Sequence, residues 1–168
     1  MAVRTLDLPD WAIGAGFVRA PVWDHLSKKT SRTPIDDIDV LFFDPADLSK
    51  EREKHLEKKL RKARPDIPWS VKNQARMHFR NNNHAYENTE DAMRYWLETP
   101  TAVAVRLEAD NRLTVLAPFG LDDLFQMILR PTPEGARKMD QFEDRIKNKP
   151  WLEHWPDLRI EKAPAVSR

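Results

Sequence analysis

No cysteine occurs among the 168 residues. That excludes disulfides, a thiol nucleophile and any zinc site built on thiolates, and it suits a reducing, cytoplasmic setting. Glycine is scarce, with 4 residues against 13 prolines, so the elements are well punctuated and not joined by floppy linkers. No apolar run approaches the roughly 20 residues that span a membrane. Met1-Ala2-Val3-Arg4-Thr5-Leu6 has none of the layout of a signal peptide. It reads instead as the last turn of a helix whose start lies outside the sequence. Charge of one sign is lacking too. The formal net charge of +1 draws the chain as a whole neither to nucleic acid nor to a membrane, and no DNA-specific signal is present. There is no internal repeat. A composition of 40% hydrophobic and 33% charged residues is that of one globular domain over 1–168 with a heavily charged surface.

Against this background Asp37-Ile38-Asp39 stands out, in the run Ile35-Asp36-Asp37-Ile38-Asp39-Val40-Leu41-Phe42-Phe43-Asp44. Alternation along a strand puts Asp37 and Asp39 on one face and Ile38, Val40 and Phe42 on the other. Leu41 and Phe43 carry the strand into a core buried on both faces. Two like charges at the end of a buried strand repel and desolvate badly, and a divalent cation removes that cost. A turn is the competing reading, because Thr33-Pro34 precedes the acids and Asp favours turns. The residues alone leave the two readings level.

The rest of the chain reads as a small mixed sheet with helices packed on it, an α/β or α+β fold. A short strand at 11–14 enters a tight turn at Gly14-Ala15-Gly16, and a helix over 17–26 follows, distorted at Pro21. Asp47 or Ser49 caps a helix ending near Ala63, with Leu56, Leu60 and Ala63 as its apolar stripe. Residues 69–74 form a strand and 75–79 a short helix. Asn88 with Asp91 caps a helix to about Leu97. A hairpin spans 101–107 and 113–117. Helices follow from Gly120 or Leu121 to about Ile128, and from Glu134 to about Lys147.

Several groups offer chemistry. Small residues at Ala15-Gly16 bring backbone N–H groups to a helix N-terminus, an arrangement suited to phosphate. Arg19 lies three residues on. Lys72-Asn73-Gln74-Ala75-Arg76 is dense in donors, and Lys72 and Asn73 are candidates for gripping phosphate or ribose. Residues 50–64 hold eight Lys/Arg against three Glu, a pattern more often a solvated helix face than a nucleic-acid stripe. The tryptophans read mainly as packing residues, with Trp23 and Trp96 as weaker candidates for base stacking. Residues 147–151 either fold back towards the site or staple the C-terminus. His78 and His84 lack zinc spacing.

The order of the glycine turn, Val18-Arg19 and Asp37-Ile38-Asp39-Val40 resembles the DNA polymerase β-type nucleotidyltransferase superfamily. Ile13-Gly14-Ala15-Gly16-Phe17-Val18-Arg19 looks like the glycine signature of tRNA nucleotidyltransferases and poly(A) polymerases. More closely, GAGFVRAPVWD, DDIDVLFFD, WSVKNQARMH, TAVAVRL, APFGLDDLF and KPWLEHWP resemble a bacterial nucleotidyltransferase-like family over nearly the whole chain. The resemblance implies a nucleotidyltransferase fold. It implies that Asp37 and Asp39 hold Mg²⁺ or Mn²⁺, and that an NTP donates its nucleoside monophosphate to the hydroxyl of an unknown small-molecule, RNA or protein acceptor. It also implies that Ala15, Gly16 and Arg19 steady the triphosphate. The chain departs from the pattern at Ala20, where an acid is frequent, and on the strand after the acid pair, which has no carboxylate. Asn73 can ligate but is no base. Asp122 and Asp123 are the candidates for a third acid, with the helix N-terminus as their ordinary role. Two alternatives follow: a degenerate member that binds nucleotide or a partner without turnover, and an RNA-binding module using the basic helix.

Overall fold

The structure is a computed structural model that describes residues 2–163. The N-terminal residues 2–6 form a 3₁₀ turn. Strand β1 (Ala12–Gly14) turns at Ala15 into helix α1 (Gly16–Leu26), with Pro21 on its exposed side. Strand β2 (Ile38–Phe42), helix α2 (Lys50–Ala63) and strand β3 (Trp69–Asn73) form a crossover unit whose two strands run parallel. Helices α3 (Met77–Asn81) and α4 (Thr89–Met93) are short, and the β4 (Ala104–Leu107) and β5 (Leu113–Leu116) hairpin follows them. The sheet order is β3-β2-β1-β4-β5, with β1 antiparallel to both β2 and β4. This mixed sheet with flanking helices is the architecture the sequence predicts.

Each face of the sheet has its own core. Val40, Phe42 and Val71 pack against Leu56 and Leu60 of α2. On the opposite face α1 packs through Ala20 and Trp23 against Val103, Leu124, Trp151 and Trp155. Ser49 caps α2, accepting from the Arg52 amide at 3.3 Å. The stripe of α2 differs from expectation at one end. Ala63 is exposed, whereas Glu53 is buried. Glu53 accepts from the Asn73 amide at 2.7 Å and pairs with Arg76 at 2.5 Å, while Glu57 accepts from the Val71 amide at 3.0 Å. The outer amides of edge strand β3 are thus satisfied by carboxylates, which also blocks edge-to-edge pairing.

Three helix expectations are corrected. The helix after Asn88 ends at Met93 and not near Leu97, and the Leu97 carbonyl accepts from the Thr132 amide instead. Helix α5 (Asp122–Phe125) stops short of Ile128, because Met127 takes φ 54° and redirects the chain into strand β6 (Ile128–Leu129). The last long helix is two, α6 (Pro133–Arg137) and α7 (Met139–Asn148), separated at Lys138. A further helix α8 (Trp151–His154) and strand β7 (Arg159–Ile160), which pairs parallel with β6, have no counterpart in the sequence reading. No helix among the described residues is long and apolar enough to cross a membrane.

Candidate active site

The alternation along β2 sets the centre of the site. Ile38, Val40 and Phe42 face α2, so Asp39 emerges on the opposite side of the sheet. It stands beside Gly14 of β1 and Ser70 of β3. Asp37 immediately precedes the strand and is exposed. Both acids line a cleft of ≈ 710 Å³, together with Gly16, Arg19, Ser70 and Lys72. The Asp39 carboxyl is pushed up from 3.8 to about 6, first by burial and next by the charge of Asp37; Ser70, Arg19 and Lys72 pull it partly back. Two acids held together at such cost fit a hard divalent cation, and their oxygen donors suit Mg²⁺ or Mn²⁺. Among the described residues no third His, Asp or Glu joins them in a metal-sized cluster.

The turn before α1 is strained. Ala15 adopts φ 51° and ψ −120°, a conformation that favours glycine. Its amide donates to the Val103 carbonyl at 2.9 Å, and its carbonyl accepts from Val18 and Arg19. The donors that the first helical turn leaves without helical acceptors are therefore those of Gly16 and Phe17, one residue along from the expected pair. A Cβ at Gly16 would come within 3.2 Å of Ile35 Cγ2, so glycine keeps this approach open.

Arg19 is buried at 9% exposure. Its guanidinium lies 5.3 Å from the ring of Trp23 and 5.1 Å from that of Trp151. Its Nε has no hydrogen-bond partner among the described residues. Burial pushes its pKa down to about 10, assisted by Arg145 and opposed by Glu98, Asp39 and Asp37. A buried guanidinium with an unspent donor between aromatic rings is set to meet an anion.

The remaining candidates divide. Lys72 lines the cleft, with Nζ 3.3 Å from Glu57. Asn73 does not. It points to the α2 face, is 1% exposed, and spends its amide on Asp44 N (3.0 Å), Ala75 N (3.1 Å), Asp44 O (2.7 Å) and Asp47 O (2.9 Å). Its expected role in ligand binding is corrected to that of a staple for the loop after β2. Asp122 and Asp123 do not line the cleft either; Asp123 accepts from Thr99 at 2.7 Å and pairs with Arg130 at 2.9 Å. Trp23 is core, at 0% exposure, whereas Trp96 does line the cleft.

Sequence reasoning missed Glu98 and Arg145. Glu98 is 1% exposed and accepts from Arg145 Nε at 2.5 Å and Thr101 Oγ1 at 2.9 Å. The segment over 149–151 folds back into the cleft wall, with Lys149 3.9 Å from Asp36. Nothing local in the sequence announces Glu98. Asp24 anchors the same wall: burial would raise its carboxyl, but hydrogen bonds from Thr33 and from Trp155 Nε1 (2.9 Å) hold it below its ordinary value.

The fold recurs among known proteins. A nucleotidyltransferase family model covers residues 1–160. A protein whose NMR structure reveals a CCA-adding enzyme head domain is 37% identical, with a TM-score of 0.82, over 96% of this chain and 86% of that one. A CCA-adding enzyme in complex with CTP and a tRNA-processing enzyme in an apo form are each 15% identical with a TM-score of 0.59, and share the fold. The chain spans 37% of the first of these and 41% of the second. The curated proteins offered no match.

Proposed function

The chain belongs to the nucleotidyltransferase family that matches it, and from that premise we propose that it is a metal-dependent enzyme moving a nucleoside monophosphate from an NTP to an acceptor hydroxyl. One observation carries the reading: a single cleft is lined by Asp37, Asp39 and a buried Arg19 whose Nε has no hydrogen-bond partner among the described residues. Asp37 and Asp39 would hold Mg²⁺ or Mn²⁺, and the ion when bound would supply charge neutralisation for the triphosphate. The amides of Gly16 and Phe17 and the Arg19 guanidinium bind phosphate oxygens. Lys72 exchanges Glu57 for phosphate. The wall of Trp151 and the Glu98–Arg145 pair keeps water from Arg19. Residues 1–168 act as one domain in this reading.

The test is label transfer. The protein is incubated with each α-labelled NTP, Mg²⁺ or Mn²⁺ and pooled acceptors, beside Asp37→Asn and Asp39→Asn. Metal-dependent NTP binding is expected, weakened by both substitutions. If neither changes metal or NTP affinity, the assignment fails. A second reading has one observation in its favour: among the described residues, no third carboxylate comes close enough to Asp37 and Asp39 to share a metal ion. In it the site binds an NTP without turnover, and binding without transfer to any acceptor would establish it.

A further inference from the structure

The cleft extends beyond the groups assigned to the triphosphate. Past the C-terminal end of β3 it is lined by Met77, Arg80, Tyr86, Tyr95, Trp96 and Lys138. We propose, resting on the nucleotidyl-transfer reading, that this lobe is the acceptor site and takes a small hydroxylated molecule with a flat apolar body and one acidic group. An acceptor that attacks in line must approach the α-phosphorus from the side opposite pyrophosphate. With the triphosphate at α1, this lobe offers such space within the same cleft.

Its chemistry sets the ligand class. The rings of Tyr86 and Tyr95 are stacked at 4.8 Å and 26°. Their hydroxyls are tied down, Tyr86 by Asn81 (3.2 Å) and Asn83 (2.9 Å), and Tyr95 by His84 Nε2 at 2.8 Å. Met77 and Ala92 pack against the same rings. Tyr86 itself is buried, and the half-buried Tyr95 and Trp96 give the lobe an apolar lining suited to a planar ring. Lys138 is already paired with Glu134 at 2.6 Å. The exposed Arg80 side chain has no ion pair or hydrogen bond among the described residues, which leaves one cation for one anionic group.

A polyanionic acceptor fits poorly. Arg145 and Lys149 of the cleft each face a carboxylate, and Lys72 is assigned to the triphosphate. The basic helix α2 packs on the other face of the sheet, against Val40 and Phe42, so its lysines do not lead into the cleft.

In the transfer, the acceptor oxygen forms a bond to the α-phosphorus, the bond to the pyrophosphate oxygen breaks, and the hydroxyl proton leaves to water. The probes are 3-phenyllactate, its hydroxyl-free counterpart 3-phenylpropionate, and a short single-stranded RNA. Calorimetry without nucleotide or metal should show both acids binding alike. Arg80→Ala should weaken them about tenfold or more while leaving Mg²⁺-NTP affinity unchanged, and Asp37→Asn should leave acid binding unchanged. Labelled nucleotide should then appear on phenyllactate alone. No binding of either acid, binding indifferent to Arg80→Ala, or transfer only to RNA overturns the assignment. Arg80-dependent binding with no transfer to anything overturns the nucleotidyl-transfer reading and leaves the lobe as a site for such acids.

Discussion

Replacing Asp39 with Asn should stabilise the metal-free protein while abolishing its function. The carboxyl titrates at about 6 in place of 3.8. Between those values the native state holds a proton that the unfolded chain has lost. Stability therefore falls as pH rises from about 4 to about 6, and stays low above that window. At roughly 1.36 kcal/mol per pH unit, the ionised group costs the fold at most about 3 kcal/mol. Asn keeps an acceptor for Ser70 and removes the charge. Above pH ~7 without metal, the variant should melt higher by up to about 6–12 °C, at about 2–4 °C per kcal/mol for a chain of this size. Below pH ~4 the difference should vanish. Added Mg²⁺ or Mn²⁺ should raise the melting temperature of the parent and not of the variant. The assay is thermal melting across pH with chelator or metal. A variant less stable than the parent at neutral pH, or a gain that persists in acid, would refute the account of Asp39 as a strained member of a like-charge pair.

Two further outcomes probe the surroundings. Ala15→Gly relieves a backbone conformation of φ 51°, ψ −120° and should stabilise by about 1 kcal/mol, read by chemical denaturation. Asn73→Ala removes four hydrogen bonds around a buried side chain and should cost about 3 kcal/mol. Its metal affinity, measured by calorimetry below the unfolding range, should stay that of the parent, since Asn73 points away from the cleft.

Much of the architecture was legible because it is written in local patterns. The alternation of Ile38, Val40 and Phe42 around Asp39 and the capping groups Ser49 and Asn88 all act over a few residues. Misread elements were decided by distant partners. Glu53 sits on the buried stripe of α2 because the edge amide of Asn73 and the guanidinium of Arg76 need a carboxylate there. Asn73 looked like a ligand donor because it lies in a run dense in donors and its amide can ligate. One residue along a strand means the opposite face, and the parallel pairing with β2 put Lys72 and Ser70 beside the acids and Asn73 behind them.

The sequence by itself determined that Asp39 would stand on a strand against the apolar Ile38, Val40 and Phe42, with Asp37 two residues before it, preceded by a small-residue turn and an arginine, in a chain without cysteine or a membrane-length apolar run. Spacing along a strand and steric freedom at a turn are local properties, so they survive without coordinates. Tertiary structure alone decided what surrounds the pair. Folding drew Arg19 between Trp23 and Trp151, brought Glu98 and Arg145 to the cleft wall, and opened the aromatic lobe beyond β3. Burial and charge coupling depend on which distant segments meet, and that is set by the packing of α1 and the C-terminal helices against the sheet.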